Sequence, residues 1–278
     1  MKKRIIKIIL TGADGYIGRN LLKYLLKKKY YIYVLSKKTK KNKKNIFYIK
    51  GDLNTNFFPK IGKIDIIIHC ASKGVYKIVS KKKIIKTNYF DSLNFFRRAY
   101  SKKIFNWIIL GTSGEYGYKK NGPMSVNSPL KPVNAYGKSK VMFFKKIANK
   151  KNFKLAKKIY LRLFHVYGLD EPKKRLYPSL LKAINKNIAF KMSTGSEIRD
   201  FIYIKRVVKK IEESFKYFRL NNYPFLKIKH IASGKPTTVV NFVKRVCLKK
   251  KKKIKILTGS IKQQNYYFSM YSNKKSLL

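Results

Sequence analysis

An apolar run at residues 5–10 leads straight into Thr11-Gly12-Ala13-Asp14-Gly15-Tyr16-Ile17-Gly18. Beyond it, Ile17, Leu21, Leu22, Leu25 and Leu26 fall at helical spacing over residues 16–28. A strand, a glycine turn and a helix in immediate succession restrict the fold more than any other stretch of the chain. Gly12 permits the tight turn, Gly15 lets a pyrophosphate approach the backbone, and Gly18 lets the helix lie close to the sheet. The N–H groups and positive end of that helix would then face phosphate oxygens. A glycine triplet alone is a weak signal, but between a first strand and a first helix it predicts a dinucleotide cradle.

The rhythm continues with strands at 30–35, 46–49, 65–69, 107–110 and 158–164 and helices at 84–100 and 136–150. Apolar strands alternating with amphipathic helices imply a parallel sheet covered on both faces. The fold class is therefore α/β, a doubly wound (Rossmann) parallel sheet. After Gly168 the rhythm loosens into a helix at 178–185, an extended stretch at 201–204, a helix at 205–218, a strand at 227–231 and a helix at 237–248. We divide the chain into a dinucleotide-binding domain, 1–167, and a smaller, mixed substrate-binding part, 168–278. With no linker or repeat between them, the two should pack as one body.

No apolar run reaches the roughly 18 residues of a membrane span, and Lys7 interrupts the first run, which reads as a strand and not a signal peptide. Cys70 and Cys247 have neither metal-ligand nor redox-motif spacing. They predict reduced thiols in a cytoplasmic protein, with no metal site. Lysine and arginine number 68 against 11 acidic residues, a formal charge of +57. The lysines are spread over the whole chain and accompany abundant Ile, Asn, Tyr and Phe, residues that share A/T-rich codons. Compositional drift accounts for this better than a dedicated nucleic-acid site, and any nucleic-acid contact would be nonspecific and weakened by salt.

Tyr136 and Lys140 stand four apart near the start of the helix at 136–150 and so share a face. A phenol, with a pKa of about 10, is a poor acid–base catalyst near neutrality. An ammonium one turn away favours the phenolate and brings it toward the working range. Tyr-x-x-x-Lys is common by chance in so lysine-rich a chain. Its place after a glycine cradle and five apolar strands gives it weight.

Gly12-x-x-Gly15-x-x-Gly18, Tyr136-x-x-x-Lys140 and Gly111-Thr112-Ser113-Gly114-Glu115-Tyr116-Gly117 together resemble the extended short-chain dehydrogenase/reductase family, also described as NAD-dependent epimerases and dehydratases. The likeness runs through His69-Cys70-Ala71-Ser72, Leu161 to Gly168, Arg175 to Ser179, Thr194 to Tyr203 and Ala232 to Thr238. It implies that Thr112 hydrogen-bonds the reacting oxygen, with Tyr136 and Lys140 completing the catalytic set. It implies a cofactor set of Gly12, Gly15, Tyr16, Ile17, Gly18, Ser36, Lys37, Asp52, Leu53, Cys70, Ala71, Ser72, Asn88, Tyr136, Lys140, His165 and Val166. Ser113, Arg175 and Arg199 would meet the substrate, a guanidinium being suited to diphosphate.

The resemblance further implies hydride transfer at a carbon, usually C4, of a nucleotide diphosphosugar. The family's 4,6-dehydratases carry Asp-Glu directly after the catalytic threonine. Ser113 and Gly114 stand there instead, which argues against elimination and for a 4-ketoreductase or 4-epimerase, similar in its second half to the CDP-abequose synthase type. Strand two ends in Leu35-Ser36-Lys37-Lys38 with no carboxylate for a ribose hydroxyl, which favours NADP over NAD. Homodimerisation through the helices at 84–100 and 136–150 is a further implication. The family's late Gly-Trp-x-Pro turn and the helix after it have no counterpart in the sequence, and Lys205-Arg206 stand where acidic residues are usual. A rival reading follows from these departures and from the charge: a catalytically inactive relative serving as a nucleic-acid-binding or scaffold protein.

Overall fold

Neighbouring residues of a strand face opposite sides of the sheet, so a strand covered on both sides must be apolar throughout. In the first strand Ile8 and Leu10 enter one core layer and Ile9 the other. The structure is a computed structural model that describes residues 5–38, 40–56, 58, 62–75, 79–117, 122–261 and 270–278. Its first half contains β1 (Ile6–Thr11), α1 (Tyr16–Leu25), β2 (Tyr30–Ser36), β3 (Ile46–Lys50), β4 (Ile66–His69), α2 (Lys81–Ile85), α3 (Ser92–Ser101), β5 (Asn106–Thr112), α4 (Ala135–Ala148) and β6 (Lys157–Leu163). Then come β7 (His165–Tyr167), α5 (Leu176–Lys186), β8 (Phe190–Lys191), β9 (Ile198–Arg199), β10 (Phe201–Tyr203), α6 (Ile204–Glu213), α7 (Lys216–Leu220), β11 (Phe225–Ile231), β12 (Thr237–Thr238), α8 (Val239–Lys249) and β13 (Ile256–Leu257).

Seven strands form one parallel sheet in the order β11-β6-β5-β4-β1-β2-β3. The order reverses between β1 and β4, and a crevice opens there at the carboxyl ends of the strands. Thr11, Ser36, His69 and Thr112 all stand at that edge. One face is packed by Leu21 and Leu25 of α1 with Val207, Val208 and Ile211 of α6. The other is packed by Phe95 and Phe96 of α3 with Phe143 and Ile147 of α4. A separate apolar cluster joins α5 to α8 through Leu180, Ile184, Phe242 and Val246.

Three sequence expectations need adjustment. The helix expected at 205–218 is two, α6 and α7, because the Ser214 hydroxyl donates back to the Ile211 carbonyl at 2.6 Å and Phe215 N–H turns to Glu212 O. The helix expected at 84–100 starts at Lys81, capped by Ser80, and widens into a π-helical turn over Lys86–Asp91. Position 167 is not a cut in space. β11 returns to pair with β6 from Phe225↔Lys157 to Ile231↔Leu163, and α6 packs on α1. No helix among the described residues is long and apolar enough to cross a membrane.

Candidate active site

The glycine turn is held by its neighbours. Gly12 has φ +71°, and a Cβ on it would lie 2.4 Å from the Ala71 nitrogen, while one on Gly18 would lie 2.2 Å from the Gly12 carbonyl oxygen. The loop after β4 and the start of α1 therefore touch the turn directly, and no side chain fits between them. Thr11 and His69 fix this approach: their Oγ1 and Nδ1 are 2.9 Å apart, and His69 Nε2 is 3.1 Å from Ser92 Oγ. Burial drives the His69 pKa well down, so the ring is neutral. A cleft of about 650 Å³ opens beside the turn, lined by Ser36, Lys37, Asp52, Leu53, Ala71 and Ser72 among others. Residues that leave no room for a Cβ, together with a helix start free of acidic groups, suit a dinucleotide pyrophosphate. Tyr16 and Ile17 pack their side chains into the core and can offer a ligand only backbone N–H groups. Cys70 donates its N–H to Thr11 O, and burial pushes its thiol up to about 12.

At the far end of this cleft the charges are paired. Ser36 Oγ donates to Asp14 Oδ2 at 3.1 Å, Lys40 Nζ bonds Asp14 Oδ1, and Lys37 Nζ lies 3.2 Å from Asp52 Oδ2. Burial works to raise the Asp14 pKa, but Lys40 and Ser36 outweigh it and the carboxyl sits below its ordinary value. The Asn54 N–H is the main cause of a similar lowering at Asp52.

At the near end, Asn134 caps α4 by accepting from Gly137 N–H at 2.8 Å. Gly137 has a packing reason to be glycine, since a Cβ there would lie 2.6 Å from the Gly114 carbonyl oxygen. The first turn of α4, with Tyr136 on it, is thereby seated against the turn that carries Thr112. Thr112 Oγ1 accepts from Gly114 N–H at 3.2 Å, so its own hydrogen remains for a substrate oxygen. Lys140 is buried and donates to Leu110 O at 2.9 Å. Burial pulls its pKa down to about 8, against Glu115 and Cys70, which favour the charged form. Asn88, on the π turn, is a strut: its amide bonds Ser139 Oγ, Lys73 O and Lys73 N–H, and Ser139 in turn bonds Tyr136 O. It joins α4 to the loop after β4 and is too buried to line the cleft.

Behind Thr112 lies a network missing from the sequence expectations. Glu115 is fully buried; it accepts from Thr112 N–H (2.9 Å), Tyr160 OH (2.8 Å) and Arg162 Nε (2.7 Å). Arg162 continues to Tyr116 OH, which meets His230 Nε2, whose Nδ1 is 2.8 Å from Ser272 Oγ. One signal was available: an arginine inside a buried strand needs an anion, and the chain has only 11 acidic residues to supply it.

A second cavity, about 490 Å³, is lined by His165, Val166, Arg175 and Arg199 with the rings of Tyr167, Tyr177, Phe201 and Phe242. Glu171 also lines it and orients Arg175 at 3.2 Å. Burial, then Arg199 and Arg175, pull the His165 pKa down to about 3, and its buried Nδ1 has no hydrogen-bond partner among the described residues. Asp200 binds Ser233 N–H, Ser233 Oγ and Gly234 N–H, tying the segment of Arg199 to the turn before β12. Ser113, expected to touch substrate, turns the other way. It is buried and donates to Met270 Sδ at 2.9 Å, because residues 270–278 pack behind this loop.

A parallel sheet with a glycine cradle at its reversal point defines a Rossmann-fold protein, with the segments of Thr112, Tyr136 and Lys140 at the same edge. The model of the NAD dependent epimerase/dehydratase family matches residues 8–212, and the chain belongs to that family. It is 26% identical over 236 residues to a UDP-glucose 4-epimerase of Lactobacillus helveticus, covering 73% of this chain and 70% of that one. To the dTDP-6-deoxy-L-talose 4-dehydrogenase (NAD(+)) of Aggregatibacter actinomycetemcomitans it is 27% identical over 226 residues, covering 75% and 79%. The fold matches the UDP-glucuronic acid 4-epimerase of Bacillus cereus, solved with UDP-glucuronic acid and NAD, at a TM-score of 0.80 and 20% identity, over 97% of this chain and 91% of that one.

Proposed function

We propose that this chain is an NAD(P)-dependent enzyme that oxidises or reduces a carbon of a nucleotide-linked sugar, by 4-keto reduction or 4-epimerisation. The observation that carries the reading is the seating of α4 on the Gly114 carbonyl through Gly137, which supports Tyr136 and Thr112 acting together. The relatives, nucleotide-sugar 4-epimerases and a 4-dehydrogenase by name, support the substrate class. A bound nicotinamide dinucleotide would supply the two-electron acceptor and donor. Tyr136 takes the proton of the sugar hydroxyl as the carbon-bound hydrogen departs with its electron pair, and returns it when the carbonyl is reduced. Thr112 donates to that oxygen in both directions, and the Lys140 ammonium stabilises the phenolate. Arg175 and Arg199 bind the diphosphate.

Elimination has no support, since Ser113 and Gly114 offer no acid. The reading as an inactive relic rests only on the charge and the sequence departures, and against it stand Thr112, Tyr136 and Lys140 and an open cleft beside the glycine turn. The glycine turn reads only pyrophosphate, so both dinucleotides fit it; Ser36 and the lysines after it favour a 2′-phosphate, and Asp14 opposes one.

A thermal-shift screen of NAD, NADP and nucleotide diphosphosugars tests the proposal, because a ligand bound only by the folded state raises Tm. We expect a dinucleotide and at least one diphosphosugar to raise it, and the pair to support turnover. A protein that no dinucleotide stabilises would end the enzymatic reading.

A further inference from the structure

The end of β2 carries no acidic side chain in the sequence, yet a carboxylate stands there. It comes from the glycine turn: Asp14 Oδ2 accepts from Ser36 Oγ, on the last residue of β2, at 3.1 Å. Where a dinucleotide fold has an acid at the end of strand two, that acid holds the 2′-hydroxyl of the adenosine ribose. Asp14 reaches the same place from the other wall of the cleft, and its side chain is 51% exposed.

We propose that Asp14 reads the adenosine ribose in place of the strand-two acid, and so selects the 2′,3′-diol of NAD against the 2′-phosphate of NADP. The inference rests on the dinucleotide reading above and sharpens it. Three features carry it. Two of the lysines there are paired, Lys40 with Asp14 and Lys37 with Asp52, and Lys38 also acts on Asp14. The four paired groups sum to zero charge within a chain of net +57, so much of the lysine charge at this end is already offset by carboxylates. A 2′-phosphate, itself close to a double negative charge, would have to settle against the Asp14 carboxylate, a like-charge contact that discriminates by repulsion. A ribose diol instead donates to that carboxylate. The exposed Asp14–Lys40 pair is worth little and opens at small cost to receive it.

The test is fluorescence titration of NADH and of NADPH at about 150 mM salt, where long-range attraction to the lysines is screened. Wild type should bind NADH at least ten-fold more tightly than NADPH. Asp14→Asn, with an unchanged Tm as the check on folding, should shrink that ratio ten-fold or more, about 1.4 kcal/mol, by weakening NADH and strengthening NADPH. Lys40→Ala should keep the NADH preference or raise it. Equal or tighter NADPH binding by wild type overturns the inference, as does a ratio that Asp14→Asn leaves alone. Binding of neither nucleotide is a different failure, which removes the dinucleotide reading and this inference with it.

Discussion

Two clusters of opposite charge lie along the carboxyl edge of the sheet, and their surroundings differ. Glu115 and Arg162, behind Thr112, have side chains 0% and 1% exposed, with both Glu115 oxygens accepting hydrogen bonds and Arg162 Nε and Nη1 donating them. Asp14, Lys40, Lys37 and Asp52, at the adenosine end, have side chains 35% to 71% exposed. A buried pair exerts its field at full strength and cannot be rearranged without a large cost, so it is suited to fixing geometry. An exposed pair is soft and can exchange partners, so it is suited to meeting a ligand. The cleft is rigid where chemistry would occur and adjustable where a cofactor would be recognised.

Substitutions can break that contrast. Tyr136→Phe removes only a proton carrier at the rigid end; turnover should fall 10²- to 10⁴-fold or so while NADH binding persists, and a smaller loss in steady-state kinetics would unseat Tyr136 as the acid–base group. Glu115→Ala leaves the Arg162 guanidinium buried without its partner, and denaturant unfolding should register a loss of about 3–5 kcal/mol; a loss under about 1 kcal/mol would mean that water reaches the network. Gly12→Ala sets a Cβ against the Ala71 backbone at positive φ, which should cost about 1–3 kcal/mol and abolish dinucleotide binding by titration. Retained binding would place the pyrophosphate elsewhere.

Lys140 connects the contrast to pH. With its pKa near 8 the ammonium is lost as pH rises through that value, and kcat/KM should fall on the alkaline side. Glu115→Gln withdraws a charge that favours the ammonium, so the falling limb should move to lower pH; a limb that stays put would uncouple Glu115 from Lys140. Lys40→Ala, at the soft end, should change stability by less than about 1 kcal/mol, and a larger change would show that the adenosine end is held as firmly as the catalytic one.

The main sheet was legible because strands buried on both faces are dominated by apolar residues, and β1, β2, β4, β5 and β6 announce themselves that way even though Lys7 and Arg162 interrupt the first and last of them. The cradle was legible because backbone contact leaves room only for glycine. The two- and three-residue strands β7, β8, β9, β12 and β13 are too short to show a period, and a π turn keeps the apolar spacing of a helix. Glu115 was overlooked because Tyr160 and Arg162, which give it meaning, lie 45 and 47 residues further on. Asp14 was overlooked for a similar reason: its partner Ser36 is brought to it only when β1 and β2 pair.

The place of β11 has a consequence for how the polypeptide is made. Until Phe225–Ile231 leaves the ribosome, β6 is an open parallel edge whose row of N–H and C=O groups can template pairing with another nascent chain. Arg162 already has Glu115 by then, but Tyr116 still awaits His230. A polypeptide stalled before residue 225 would hold an almost finished nucleotide fold with one sticky flank, the kind of intermediate that chaperones shield.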